Sequence, residues 1–163
     1  MKLTLTPVVD VTRRQLAKAA RQRIEAAQQF VPRPNESFVP RPAVAAYLAH
    51  VGMECLLKAW LMVKNNANDT QQLRKRLPER EADELFSAKG HNLVALAEKA
   101  ALKRHLVAEN EPGLMDLAAW ARLATPPRPY NLRYGVLNLG LDEAKEEVEL
   151  ALTILRVVEK VLL

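Results

Sequence analysis

The stretch from Ala43 to Lys64 is almost wholly apolar, and it constrains the fold more than any other feature of the chain. Its alanines, leucines and methionines propagate a helix at little entropic cost. Pro42, just before it, suits the first helical position, where its missing N–H is not needed. Asn65-Asn66-Ala67-Asn68 ends it. A helix apolar on all sides must be covered on most of them. This segment is therefore expected at the centre of a helical bundle. Only His50, Glu54 and Lys58 interrupt it, and they make it a poor membrane span.

The rest of the chain reads as neighbours for that helix. Residues from Val11 to Phe30 form a first helix with Asp10 or Thr12 as N-cap, and Leu16, Ala20, Ile24 and Ala27 share one stripe. Asp69 or Thr70 caps a more polar segment containing Arg74-Lys75-Arg76. Pro78 restarts the helix as far as about Ser87, and Lys89-Gly90 breaks it. His91-Asn92 opens another helix, with Leu93, Leu96, Ala97 and Ala100, which is expected to end near Val107. A shorter one begins at Pro112 and carries Leu114, Leu117, Ala118, Trp120 and Ala121. Asp142 is expected to cap the last helix, with Glu143, Glu146 and Glu147 in its first turns as solvent-facing carboxylates. Ala144, Val148, Ala151, Leu155, Val158 and Leu162 form its packing seam. No run alternates with period two, so the expected class is all-α. At 163 residues the chain suits one domain. Residues 1–42 supply a basic first helix and a Pro-rich connector, and residues 43–163 the bundle core.

Charge is unevenly placed. Residues 1–42 hold eight Lys/Arg against three Asp/Glu, and the remainder is balanced at sixteen of each. Arg13, Arg14, Lys18 and Arg21 form a basic stripe beside the apolar one. It is either a solvated face or a surface for phosphates. The connector repeats one pentapeptide, Phe30-Val31-Pro32-Arg33-Pro34 and Phe38-Val39-Pro40-Arg41-Pro42. Its prolines favour extended backbone, either as a stiff spacer or as a docking strand.

Little in the sequence suggests catalysis. The single cysteine, Cys55, lies in an apolar run and reads as a buried, inert thiol. There is no metal-ligand spacing, no Gly-rich phosphate loop and no nucleophile elbow, so no metal and no cofactor are expected. No secretory h-region is visible, and a cytoplasmic protein is expected. His50, Glu54 and Lys58 step by four along one line of the central helix. That ladder is either an exposed edge with a structural ion pair or the wall of a polar pocket.

The segment Tyr47-Leu48-Ala49-His50-Val51-Gly52-Met53-Glu54-Cys55-Leu56-Leu57-Lys58-Ala59, the later Gly90-His91-Asn92-Leu93 and the Arg133-Tyr134 pair before a long final helix come in the order seen in one family. Over roughly residues 43–163 the chain resembles the HEPN (higher eukaryotes and prokaryotes nucleotide-binding) domains. The resemblance implies an up-and-down bundle of about five to six helices, usually homodimeric. It also implies a setting in which relatives bind RNA or nucleotides, or work in toxin–antitoxin and defence systems, in some cases beside a partner such as a nucleotidyltransferase. Homodimerisation is also expected from the breadth of the apolar surface on the central helix.

The chain departs from the family's ribonucleases, which use an Arg, then four to six residues, then a His. Eight residues separate Arg41 from His50, ten separate Arg80 from His91, and Arg104 adjoins His105. The expected function is therefore a non-catalytic binding module for RNA, a nucleotide or a partner protein. The alternatives are a ribonuclease with a displaced site and a purely structural helical subunit. Candidate binding residues are His91 with Arg128, Tyr130, Arg133 and Tyr134 in the Pro-rich loop, and the His50, Glu54, Lys58 ladder. Arg13, Arg14, Lys18 and Arg21 are candidate nucleic-acid contacts.

Overall fold

A computed structural model describes residues 10–31, 41–87, 92–102, 104–105 and 139–162. Among them the chain is all-α. Six helices are described: α1 (Arg13–Gln28), α2 (Pro42–Lys64), α3 (Thr70–Arg76), α4 (Glu79–Phe86), α5 (Leu93–Lys99) and α6 (Leu141–Leu162). The one extended pairing among these residues is an isolated antiparallel bridge between Thr12 and Asp69.

The apolar helix α2 is the hub, packing against α1, α6, α5 and α3. By length and composition alone it could cross a membrane, but 67% of its apolar window is buried inside the bundle. Pro42 opens it, and Arg41 N–H donates to Phe30 O at 3.1 Å, which brings the two ends of the connector together. Its far end closes in a Schellman motif. Asn66 takes a positive φ of 52°, Ala67 N–H donates to Met62 O and Asn66 N–H to Val63 O. Ala67 is itself fully buried, which supplies the apolar contact of that motif.

Helices α1 and α2 form an antiparallel hairpin that closes tightly. Ala20, Ile24 and Ala27 are fully buried on α1, and Leu16 packs at the edge of the same core. Gly52 of α2 lies at the crossing, where an added Cβ would come within 2.6 Å of Ile24 Cγ1 and 3.2 Å of Ala20 O. Thr12 caps α1 in a reciprocal capping box with Gln15. The seam of α6 is buried at every expected position: Ala144, Val148, Ala151, Leu155, Val158 and Leu162.

Four expectations need correction. Helix α6 starts at Leu141, so Asp142 lies inside the first turn. Gly140 precedes it, and Gly140 N–H donates to Glu143 Oε2 at 3.1 Å. Glu147 is buried at 6% exposure, because it shares the face of Leu150, Ala151 and Ile154, three, four and seven residues on. Helix α5 ends at Lys99, well short of Val107. Ala101 has a φ of 47°, a conformation that halts helix propagation. Cys55 is half-buried, not fully buried. The expected helix from Pro112 lies outside the described residues.

Candidate nucleic-acid interface

The start of α1 is fixed to the loop that follows α2. Arg13 N–H donates to Asn68 O at 2.9 Å, Thr70 N–H donates to Val11 O at 3.1 Å, and Val11 N–H donates to the Thr70 hydroxyl at 3.2 Å. Asp69 caps α3, accepting from Gln72 N–H at 2.7 Å, and α3 therefore begins beside the first turn of α1. Arg76, at the end of α3, donates through Nη1 to Asn65 O and Asn66 O, so it caps the C-terminus of α2. One pole of the bundle thus holds the beginning of α1, the end of α2 and the whole of α3.

That pole is strongly basic. It collects Arg13, Arg14 and Lys18 from α1, Lys64 from α2, and Arg74, Lys75 and Arg76 from α3. Asp10 and Asp69 are the acids of these same segments, and the Asp69 carboxylate is taken up by Gln72. Arg14, Lys18, Lys64, Arg74 and Lys75 are exposed. Among the described residues, Arg14, Lys18, Lys64 and Lys75 have no carboxylate within ion-pair distance. Arg13 is half-buried.

The helix dipoles separate two kinds of basic residue here. Lys64 and the run from Arg74 to Arg76 sit in last turns, where cations are stabilised by the carbonyl end. Arg13 and Arg14 sit in the first turn of α1, which holds no acidic residue. Cations there face the positive end of the helix and cost about 0.3–1 kcal/mol each at an exposed position. An anion bound at this pole would reverse the sign of that interaction.

The fourth member of the basic stripe is used differently. Arg21 is bound to Glu159 of α6 by an ion pair and by its Nε–H at 2.6 Å, which ties α1 to α6. The structure therefore groups Arg13, Arg14 and Lys18 at the pole and withdraws Arg21 from it. Arg74 and Lys75 escape a reading by helical periodicity, because they lie fifty residues and more along the chain from the stripe they join. The run of three consecutive cations was the visible signal, but only the Asn68 and Thr70 hydrogen bonds bring it to α1.

The ladder on α2 is mostly enclosed. His50 is 2% exposed. Lys58 Nζ meets Glu54 Oε1 at 2.6 Å, with side chains 17% and 13% exposed. This is a part-buried ion pair in the favoured i, i+4 orientation. Burial pushes the neighbouring Cys55 thiol up, opposed by the Arg23 and Lys58 charges and reinforced by Glu54. The thiol is therefore protonated at neutral pH and a weak nucleophile. Glu54→Ala is expected to cost about 1–3 kcal/mol, because it leaves the Lys58 ammonium in a half-closed site. Because Glu147 is buried as well, Glu147→Ala should change stability by more than the few tenths usual for a surface carboxylate. Urea midpoints for the two variants check this, and a Glu147→Ala midpoint equal to the parent would show that its carboxylate is solvated.

His91, Arg128, Tyr130, Arg133 and Tyr134 lie outside the described residues. Asn92, next to His91, is the N-cap of α5, accepting from Ala95 N–H at 3.1 Å. Among the described residues no three of His, Cys, Asp and Glu converge as a metal site. No protein-family model matches the chain, and no curated protein or solved structure is significantly similar to it.

Proposed function

We propose that this chain is a non-catalytic, HEPN-like binding module, dimeric, that takes RNA on the basic pole in a toxin–antitoxin or defence-type setting. The observation that carries this reading is the joining of Arg13, Arg14 and Lys18 to Arg74 and Lys75 at one end of the bundle. Phosphates are neutralised by such clusters with little need for base reading. The first turn of α1 adds weight, since its two arginines oppose the helix dipole and gain from a bound anion. The lack of an Arg-x(4–6)-His spacing supports binding without cleavage.

The test is a triple variant, Arg14→Ala, Lys18→Ala and Lys75→Ala, titrated against a labelled RNA oligonucleotide. All three side chains are exposed, so the melting temperature should stay within the small range of surface changes. RNA affinity should fall by about tenfold or more. Unchanged affinity would remove the pole from the account. Cleavage of the RNA by the parent protein would favour a ribonuclease with a displaced site. Capture of a partner protein with no RNA affinity would favour a protein-binding module.

A further inference from the structure

We infer that the RNA taken by the basic pole is single-stranded, with one unpaired base stacked on the outer face of the Arg74 guanidinium. This inference rests on the reading of the pole as an RNA site and adds the form of the ligand. Arg74 Cζ lies 4.4 Å from the centroid of the Phe86 ring. Phe86 ends α4 and packs against the core, so the ring is a rooted backing. Arg74 is nevertheless exposed. A guanidinium is planar and remains charged; with one face on an aromatic ring it keeps its edge and its other face for a ligand.

The neighbours on α3 divide the work. Arg76 is committed to the carbonyls of Asn65 and Asn66. Lys75, beside Arg74, is exposed and has no carboxylate at ion-pair distance among the described residues. A phosphate on Lys75 would bring the attached nucleoside to the side of Arg74. The acids of α4 do not take up Arg74: Glu84 pairs with Arg80 at 3.5 Å and with Lys99 at 3.4 Å. Arginine planes and aromatic rings hold unpaired bases in this way, whereas bases in a duplex have their faces covered by their neighbours. A pole of cations alone would not distinguish the two forms. A pole with one backed, planar cation does.

The experiment compares the full chain with Arg74→Lys and Phe86→Tyr. Each is titrated with a single-stranded RNA oligonucleotide, the same strand in a duplex, and inorganic polyphosphate of similar charge. Arg74→Lys keeps the charge and loses the plane. It should weaken single-strand binding by about tenfold and leave duplex and polyphosphate binding within twofold of the parent. Phe86→Tyr keeps the backing ring and should bind as the parent does, which separates stacking from mere tampering with the α3–α4 contact. Equal loss on all three ligands, or none on any, would overturn the stacking while leaving the pole as a phosphate site. No binding of any of the three by the parent would overturn both readings.

Discussion

Trp60→Ala should lower the unfolding free energy by about 3–5 kcal/mol, the range found when a buried aromatic is cut back to a methyl group. Trp60 is 4% exposed on α2 and does two jobs. Its ring lies against His105, with centroids 4.5 Å apart, and its Nε1–H donates to Ala100 O at 3.1 Å in a buried setting. That bond receives the carbonyl at the end of α5, just before the positive-φ residue Ala101. The alanine variant therefore leaves a cavity and also a carbonyl without its donor, and the two costs add. Domains of this size are stable by only about 5–15 kcal/mol, so the loss takes a large share of the total. Chemical denaturation of the two proteins checks it. A loss below about 1 kcal/mol would mean that the helices close around the missing ring.

The second large effect is expected at Gly52, and here two terms oppose each other. Glycine inside a helix is unfavourable by about 1 kcal/mol against alanine, so Gly52→Ala gains that much from the backbone. The added Cβ, however, would stand 2.6 Å from Ile24 Cγ1 and 3.2 Å from the Ala20 carbonyl oxygen. Ile24 is fully buried and Ala20 O belongs to the backbone, so neither gives way cheaply. Overpacking of a tight core costs about 1–3 kcal/mol, which exceeds the backbone gain and leaves Gly52→Ala mildly destabilised. Gly52→Leu adds three more carbons at the same crossing and should cost about 3 kcal/mol or more. Melting curves for the pair give the check: a leucine variant as stable as the parent would show that α1 and α2 can move apart there.

The stripe of α1 and the seam of α6 are legible because their apolar residues repeat with helical spacing over three or more turns, and α2 because it is apolar on nearly every side. Such repeats locate a face without any knowledge of its partner. Glu147 shows the limit of this. Its type argues for solvent, but its register places it between Ala144 and Ala151 on the buried face, and register prevails once α6 docks on α2. The end of α5 is not legible for a related reason. Residues Ala100, Ala101 and Leu102 are all good helix formers, but the chain turns at Ala101 with a positive φ, where the Trp60 indole donates to the Ala100 carbonyl across forty residues of sequence. The basic pole is likewise half legible. Arg13, Arg14 and Lys18 stood out as a stripe and Arg74-Lys75-Arg76 as a run, but nothing local says that they meet. Their meeting depends on backbone hydrogen bonds from Arg13 and Thr70, which composition does not encode.

The central claim is that this pole binds RNA through its phosphates, and the salt dependence of binding tests it most directly. Each phosphate neutralised on a single strand releases counterions and contributes about −0.7 to the slope of log K against log salt. With Arg14, Lys18, Lys64, Arg74 and Lys75 engaged, the parent chain should show a slope of about −3.5, and the triple variant lacking Arg14, Lys18 and Lys75 a slope shallower by about 2. A parent whose RNA affinity does not change with salt, or a triple variant with the parent's slope, would contradict the account.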